Sequence, residues 1–534
     1  MGIFESHLVL TLLIAIPVVG GLACLAAPES KAGLVAFVTT LIEFAVSLPL
    51  FWTLDLTTAA FQNTISIPWI EAWGITYSIG IDGISILMVL LTTFIMPLAV
   101  AGSFTYIQKR ERSFYAMLLF LTTGMIGVFV ALDLFLFYVF WEIMLIPMYF
   151  LIGIWGGERR IYAAIKFFLY TAAGSLLMLV AIVALGFLHR EATGVLSFSY
   201  QDLLTLDIDG RTQLWLFAAF GLAFAIKVPI FPFHTWLPDA HVEAPTAGSV
   251  VLAGVLLKLG VYGFLRFGLP LFPVAATTPA VLMTLLILGL VGILYGAWVA
   301  AVQPDAKKLV AYTSVAHLGF IVIGVFSLTT QGIEGGILQM VNHGISTGAL
   351  FLLIGMLYER RHTRLIADFG GIAKSMPFFA FALVVVALSS IGLPGTNGFV
   401  GEFLILIGTF RTHPWIAAIA ATGVIFAASY MLPMVQRTLF NALDREENRD
   451  LTDLGTRERW ILIPMLVLIV LIGVLPGPFI DRTRASVDGL LQRIESRGGR
   501  ISGVAPSSTV DLVRPAGLTF ARDPRRPDAD EGGE

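Results

Sequence analysis

The chain has 534 residues, of which 57% are apolar and only 13% are charged, against about 25% in a typical soluble protein. Its 33 basic and 36 acidic residues give a net charge of −3, so nothing suggests a nucleic-acid partner. This composition excludes a soluble enzyme, a disordered protein and a disulfide scaffold. It predicts an all-α polytopic membrane protein.

Long apolar runs predict about fourteen transmembrane helices, since roughly 20 apolar residues cross a bilayer. The predicted spans cover residues 7–26, 33–53, 83–106, 114–132, 134–155, 162–188, 212–237, 243–268, 275–302, 309–328, 333–358, 376–411, 415–439 and 459–479. Between the second and third spans, Ile65–Gly80 alternates in polarity and predicts a small surface hairpin.

Loop charges predict the orientation of these spans. Most Lys and Arg residues fall in loops on one side, whereas the short loops on the other side hold only Arg190, Arg211 and Arg411. Cytoplasmic loops are enriched in Lys and Arg, so both termini are expected outside the cytoplasm. The polar tail 481–534 is charged, and its last residues are expected to be disordered or to lie on a neighbouring subunit.

Ionisable residues occur near the middle of six predicted spans, where a charge costs about 2.5–3.5 kcal/mol on insertion scales. They are Glu142, Lys227, Lys258, His317, His343 and Glu402. Chance placement would favour the span ends, so their number and common depth favour a proton relay. A buried Glu–Lys pair can also be purely structural, and a lone buried His can be a satisfied core residue.

Other charged residues in or beside the spans have simpler interpretations. Glu43 in span two has no basic partner on its own helix, which favours a structural role over proton transfer. Lys166 and Arg266 lie near span ends and are expected to extend toward water. Asp82 and Asp133 precede spans three and five and are expected to cap helix N-termini.

Two spans contain helix-breaking residues: Pro229, Pro232 and Pro238 in span seven, and Pro394, Gly395 and Gly398 in span twelve. Interrupted backbone at membrane depth is stable only inside protein or beside a watery cavity. The breaks lie five spans apart, and an odd offset reverses direction across the membrane. Spans four to eight and nine to thirteen are therefore predicted to form inverted repeats around a transport path.

Cofactor motifs are missing from the sequence. Cys24 is the only cysteine, which leaves no cluster for an iron–sulfur centre, and no glycine-rich nucleotide motif is present. We therefore expect neither a cofactor nor a metal in this chain.

Several segments resemble the antiporter-like, proton-pumping subunits of respiratory complex I. They include Trp-Glu-Ile-Met-Leu-Ile-Pro at 141–147, Lys-Val-Pro-Ile-Phe-Pro-Phe-His-Thr-Trp-Leu-Pro-Asp-Ala-His-Val-Glu-Ala-Pro-Thr at 227–246, Leu-Lys-Leu-Gly at 257–260, Asp-Ala-Lys-Lys-Leu-Val-Ala-Tyr-Thr-Ser-Val-Ala-His-Leu-Gly-Phe at 305–320 and Asn-His-Gly-Ile-Ser at 342–346. The resemblance covers about residues 80–440. Gly-Phe-Val-Gly-Glu-Phe at 398–403 has Glu402 where related subunits usually have Lys, which resembles the mitochondrial subunit-4 branch.

The resemblance implies roles for the candidate residues. Glu142 and Lys227 would form the input pair, Glu402 would be the output residue, and Lys258, His317 and His343 would form a central hydrated axis. His234 matches the motif as a secondary member, and Glu43 stays a secondary candidate. FMN, iron–sulfur clusters, quinone chemistry and two related antiporter-like subunits are implied in the rest of the complex.

The predicted function is proton translocation coupled to NADH oxidation by quinone, in a bacterial plasma membrane. A subunit of a multi-subunit sodium/proton antiporter and a purely structural membrane subunit are the alternatives. The predicted divisions are helices 1–3 with the hairpin at 1–110, the first repeat at 111–270, the second repeat at 271–440, a loop with helix 14 at 441–480, and the tail at 481–534.

Overall fold

The computed structural model describes residues 8–498, and this part of the chain is mostly helical. The N-terminal third contains α1 (Leu8–Ala26), α2 (Glu29–Ser47), α3 (Leu50–Thr53), β1 (Gln62–Ile70), β2 (Ile75–Ile81), α4 (Ser85–Gly102), α5 (Glu111–Val130), α6 (Leu134–Ile143) and α7 (Leu145–Trp155). The central part contains α8 (Arg160–Thr193), α9 (Tyr200–Leu203), α10 (Gly210–Lys227), α11 (Trp236–Glu243), α12 (Thr246–Val251), α13 (Lys258–Gly263), α14 (Leu269–Leu271) and α15 (Pro273–Thr277).

The C-terminal part is also helical. It contains α16 (Pro279–Ala301), α17 (Ala306–Phe326), α18 (Thr330–Arg361), α19 (Pro377–Ile391), α20 (Asn397–Thr412), α21 (Pro414–Val435), α22 (Thr456–Val474) and α23 (Gly477–Gly498). Two π-helical turns, Leu252–Leu256 and Phe264–Gly268, join α12, α13 and α14 into one segment over Thr246–Leu271.

The chain is a multi-pass membrane protein. Within residues 8–498, eleven helical segments are long and apolar enough to cross a membrane, or twelve if α22 and α23, bent by 69°, form one span. Helices occupy all fourteen predicted apolar runs. Both predicted interruptions are confirmed, since α10 ends at Lys227 before α11 begins at Trp236, and α19 ends at Ile391 before α20 begins at Asn397.

The predicted hairpin is confirmed as an antiparallel pair of β1 and β2. A short helical turn, Glu71–Trp73, connects the strands and ends at Gly74 with φ of +63°. A side chain at Gly74 would collide with the carbonyl of Leu196, so the hairpin tip lies directly against that loop.

Aspartates fix several helix starts. The Asp133 carboxylate accepts hydrogen bonds from the N–H groups of Phe135 and Leu136, which confirms it as the cap of α6. Asp82 accepts from the N–H groups of Ile84 and Ser85, as a capping residue does. Capping of this kind satisfies donors that a helix start would otherwise leave unpaired.

Asp82 has a second function that corrects a prediction. Its carboxylate also pairs with Arg266 at 2.5 Å, and the Arg266 side chain is only 5% exposed. The prediction that Arg266 extends toward water is therefore wrong. Lys166 likewise does not simply reach solvent, because its ammonium donates to Asp239 of α11 at 2.7 Å.

The centre of the bundle is formed by the most deeply buried helices. The most apolar stretches of Thr246–Leu271 and of α18 are wholly buried, whereas only 28% of the corresponding stretch of α2 and α3 is buried. Every hydrogen-bonded candidate side chain described below lies on these central helices or on α17 and α20, which pack against α18.

Candidate functional site

Lys258 and His343 form the first contact of a buried polar chain. Lys258 follows the π-helical turn Leu252–Leu256, and turns of this type often occur at functional sites. Its ammonium donates to the carbonyl of Ala253 and lies 2.6 Å from His343 Nδ1. When Lys258 is protonated, its ammonium has only donors, so Nδ1 accepts and the neutral His343 ring carries its proton on Nε2.

His317 and Glu402 continue this chain. The ring centroids of His343 and His317 are 5.7 Å apart. His317 Nδ1 lies 3.0 Å from Glu402 Oε1, and its Nε2 lies 3.2 Å from the hydroxyl of Ser390. The structure thus brings four predicted residues together across α13, α18, α17 and α20. We call this set, Lys258, His343, His317 and Glu402, the axial chain.

Amide side chains hold Glu402 in place. Gln339 Nε2 donates to Glu402 Oε1 at 3.1 Å, and Asn342 donates in turn to Gln339 Oε1 at 3.2 Å. Asn342 also donates to the carbonyl of Asn397, the first residue of α20. The interruption between α19 and α20 is therefore fastened to α18 by the same residues that support the carboxylate.

Lys227 is buried but has no comparable support. It is the last residue of α10 and is 1% exposed, yet its Nζ lacks a hydrogen-bond partner anywhere in residues 8–498. The ammonium instead lies 5.4 Å from the ring centroid of Trp141 and 5.6 Å from that of Phe167. Aromatic rings attract a cation more weakly than a carboxylate contact would.

Glu142 does not close a contact with Lys227. It is half-buried at the end of α6, where a kink separates α6 from α7. Its Oε1 is likewise without a hydrogen-bond partner within the described chain, although Lys227 and the Ser175 hydroxyl are near enough to affect its charge. Within residues 8–498, no salt bridge or hydrogen bond joins the two groups.

The secondary candidates lie outside the axial chain. His234 is 2% exposed in the α10–α11 interruption, and its ring packs on Phe231 at 5.6 Å and on Tyr295 at 4.9 Å. Glu43 is fully buried in α2, and neither carboxylate oxygen has a hydrogen-bond partner among the residues that the structure covers. No hydrogen bond in that region joins either residue to the axial chain.

Sequence reasoning missed two buried groups outside the axial chain. His241 of α11 is 0% exposed, and its ring stacks on Phe351 of α18 with centroids 4.6 Å apart. Neither of its nitrogens finds a partner in the described residues. Lys307 is 7% exposed, and its ammonium donates to the carbonyl of Ala244 at 2.6 Å. Both residues lie in segments quoted for the resemblance, which is the signal that could have identified them.

The chemistry that this geometry allows is proton exchange. Amine, imidazole and carboxyl groups in or near hydrogen-bond contact can pass protons, and low exposure limits leakage to bulk water. No group of three His, Cys, Asp or Glu residues within 8–498 could hold a metal ion.

Two family models match the chain. A model described as NADH:quinone oxidoreductase/Mrp antiporter, TM, matches residues 131–427. A second, described as NADH-ubiquinone oxidoreductase chain 4, amino terminus, matches residues 32–128. Together they cover all six of the mid-membrane candidates and Glu43.

Named relatives agree with these models. NADH-quinone oxidoreductase subunit M of Rhodobacter capsulatus is 46% identical over 89% of this chain and 93% of its own length. The Escherichia coli K12 subunit M is 42% identical over 90% of this chain and 97% of its own length. NADH-ubiquinone oxidoreductase chain 4 of Arabidopsis thaliana is 43% identical over 91% of this chain and 98% of its own length.

Solved structures give the same result. A chain of respiratory complex I from Thermus thermophilus aligns with a TM-score of 0.83 and 34% identity, covering 92% of this chain and all of that one. A chain of the Mrp complex from Dietzia aligns with a TM-score of 0.76 at 22% identity, covering 92% of this chain and 55% of that one. At this lower identity, the Mrp alignment indicates a shared fold only.

Proposed function

This chain belongs to the NADH:quinone oxidoreductase/Mrp antiporter family of membrane proteins, and from that membership we propose that it is the M-type, proton-translocating subunit of an NADH-quinone oxidoreductase. The observation that carries the proposal is the axial chain, in which buried Lys, His and Glu side chains follow one another across four helices. Buried charge is costly in a membrane unless it has a function or a partner.

We propose that protons enter at Glu142 and Lys227, pass along the axial chain, and leave from Glu402. Among residues 8–498, Lys227 has no hydrogen bond to lose, so a small movement of Glu142 changes how well the charge of Lys227 is stabilised. At about 4 Å and an effective dielectric constant of about 20, a closed Glu–Lys pair gains roughly 4 kcal/mol. Moving one charge against 100 mV costs about 2.3 kcal/mol. The energy gained by closing the Glu–Lys pair is therefore large enough to drive one proton against that potential.

His234 and Glu43 are secondary members of this proposal. The interruption after Lys227 contains His234, so movements of that loop reach both residues. Glu43 is a buried carboxyl that no hydrogen bond within residues 8–498 connects to the axial chain. The proposed proton path therefore does not depend on Glu43.

The proposed architecture has fourteen transmembrane helices with two inverted five-helix repeats. In this scheme helices 1–3 and the hairpin occupy 1–110, the repeats occupy 111–270 and 271–440, and a loop with the last span occupies 441–480. The tail begins at 481. The two interruptions, each beside an ionisable residue, support this division. Both termini would lie on the non-cytoplasmic side of a bacterial plasma membrane.

The redox reaction belongs to other subunits in this proposal. Oxidation of NADH by quinone would take place on partner chains that carry FMN and iron–sulfur clusters, and two related antiporter-like subunits would be among the neighbours. The complex I structure that aligns over 92% of this chain supports a multi-subunit setting.

A subunit of a multi-subunit sodium/proton antiporter is the alternative function. It shares the fold, and the matching family model covers both groups. Such an assembly needs no electron donor. Transport that depends on sodium in membranes without NADH would favour this alternative.

The first experiment is a mild-detergent native gel of tagged membranes, stained for NADH dehydrogenase activity. We expect the chain in a large NADH-oxidising band. Glu142→Gln and Lys227→Ala should leave that band intact and depress proton uptake. Trp298→Phe is a control, because Trp298 is 59% exposed on α16. Normal proton uptake in both variants contradicts the proposal, and loss of the band in both supports a structural role instead.

A further inference from the structure

Helix α23 packs against the beginning of α18. It leaves α22 at an angle of 69° and packs against α18, while the hydroxyl of Ser486 accepts a hydrogen bond from the N–H of Gly83 at 2.9 Å. Its apolar side chains Val487, Leu490 and Ile494 are buried along one face. The helix is therefore a fixed part of the bundle at the beginning of α18.

One acidic residue of α18 lies beneath this helix. Glu334 is 5% exposed, and its carboxylate accepts a hydrogen bond from Arg484 Nε of α23 at 3.4 Å. The Arg484 side chain is 57% exposed and also lies 3.5 Å from Asp481. Asp488 of α23 accepts a bond from the hydroxyl of Thr330 at 3.5 Å, one turn before Glu334. A buried carboxyl is thus held by a cation that itself reaches water.

Glu334 and the residue that supports Glu402 lie on the same helix, within two turns of each other. Gln339, which donates to Glu402, is five residues along α18, or about 7.5 Å of helix rise. Gly335 brings α18 close to α20, since a Cβ there would lie 3.0 Å from the carbonyl of Gly401. Glu334 is therefore an acidic group of α18 that lies closer to the start of that helix than Gln339, the residue that donates to Glu402.

The start of α18 lies on the side poor in Lys and Arg. The other end of α18 carries Arg360 and Arg361, on the side that the loop charges mark as cytoplasmic. A cavity of about 500 Å³ opens beside α23 and is lined by Thr57, Arg484, Asp488 and six other residues. Solvent at this cavity reaches the charged groups around Glu334.

We propose that Glu334 is a proton-release site and that Arg484 is its positioning residue. The inference rests on the proposed function and extends it from Glu402 to the membrane surface. In the first step, Arg484 moves into solvent and away from Glu334. The O–H bond of the Glu402 carboxyl then breaks, and its proton passes through water to the Glu334 carboxylate. When Arg484 returns, its charge favours the carboxylate, and the O–H bond of Glu334 breaks to give the proton to water in the cavity. Asp481 and Asp488 provide alternative partners for Arg484.

The test uses the whole complex in proteoliposomes whose internal pH is set by trapped buffer, with external pH constant and ionophores removing the membrane potential. Only complexes whose NADH site faces outward can oxidise NADH added outside the liposomes. In these complexes the proposed release side faces the interior. Turnover should fall as the interior becomes acidic. In Arg484→Gln, Glu334 holds its proton more tightly, so this inhibition should begin at a higher internal pH, by up to about one unit.

Matched variants distinguish a role of Arg484 in proton release from a role in holding α23 in place. Arg484→Lys keeps the cation and should restore the native profile. Arg493→Gln removes an anchor of α23 to the carbonyls of Leu204 and Pro270 and should leave the profile unchanged. Glu334→Gln should assemble but lose proton uptake. An unshifted profile in Arg484→Gln, or normal uptake in Glu334→Gln, overturns the inference.

The same preparation distinguishes failure of the inference from failure of the proposed function. If Glu402→Gln abolishes proton uptake while both Glu334→Gln and Arg484→Gln behave as native, only the release site is wrong. If Glu402→Gln and Lys258→Met also pump normally, the proposed function itself fails.

Discussion

The two interrupted helices give the same signal in the sequence and opposite electrostatic environments in the structure. The first interruption, at residues 228–235, follows Lys227, whose ammonium lacks a hydrogen bond within residues 8–498. The second, at residues 392–396, precedes Glu402, whose carboxylate accepts bonds from His317 and Gln339. One interruption isolates a charge, and the other surrounds a charge with fixed partners.

This difference separates two tasks that proton transfer requires. An isolated cation responds strongly to any approaching carboxylate, because no existing hydrogen bond has to break first. A carboxylate in a fixed network changes its protonation by exchange along bonds already formed, with little reorganisation. The first interruption therefore suits a control point, and the second suits conduction.

The largest effect is expected when each charged residue is replaced, in a separate variant, with methionine, which is apolar and flexible. Glu402→Met leaves two buried donors without an acceptor, at about 1–3 kcal/mol each. Lys227→Met breaks no hydrogen bond with any residue of 8–498 and removes an ammonium that has no partner there, so stability should stay constant or rise. Thermal loss of the native-gel band measures both, and equal losses would contradict the comparison.

Glycines of the second interruption provide a smaller test. Gly392 and Gly395 have φ of +84° and +89°, where any other L-residue costs roughly 1–2 kcal/mol. A Cβ at Gly392 would lie 3.1 Å from Glu402 Oε2, whereas at Gly395 it would meet no atom of the described chain within 4 Å. Both alanine variants should lose similar stability, but only Gly392→Ala should also slow proton uptake.

Gly395→Ala is the control in that experiment, because it shares the backbone strain and lacks the contact. If both variants slow proton uptake equally, the backbone strain alone is responsible and the Glu402 contact is unimportant.

The sequence could predict both interruptions and all members of the axial chain, because the signals are local. A charged residue inside an apolar run and prolines inside a span need no knowledge of neighbouring helices. The pairing of Arg266 with Asp82 was not predictable in this way, since the partners are 184 residues apart. The open arrangement of Glu142 and Lys227 depends on packing of α6, α8 and α10, which no local pattern records.

Two other features, helix α23 and buried Lys307, were missed because nearby charges in the sequence resemble those of exposed segments. The buried face of α23, with Val487, Leu490 and Ile494, repeats at helical spacing, but its many charges suggested a polar tail. Lys307 stands beside Lys308 at the start of α17 and resembles an ordinary loop charge. The Lys307 ammonium instead donates to the carbonyl of Ala244, in the connection between α11 and α12, and this contact depends on the packing of distant segments. The end of the tail, residues 499–534, lies outside the described residues.

A third prediction concerns the aromatic surroundings of Lys227. Trp141→Phe replaces the better cation-binding ring, so the charged form of Lys227 should lose about 0.5–1 kcal/mol of stabilisation. Proton uptake by inverted membrane vesicles should fall by less than about tenfold, since tenfold corresponds to about 1.4 kcal/mol. Trp298→Phe on the exposed face of α16 should have no effect. A full loss of uptake would mean that Trp141 has a larger structural role.

The smallest expected effect is at the hydroxyl that supports His317. Ser390→Ala removes the partner of His317 Nε2, a long bond of 3.2 Å, and should cost about 0.5 kcal/mol, the lower end of the range for a neutral hydrogen bond. The neighbouring Ser389 is a matched control, because its hydroxyl bonds to Asn397 and Ser346 and does not contact the axial chain. Both variants lose a buried hydroxyl, so both should lower thermal stability slightly. Only Ser390→Ala should slow proton uptake, because only there does an imidazole of the axial chain lose an orienting contact. Equal rates in the two variants would show that His317 is held sufficiently by Glu402 alone.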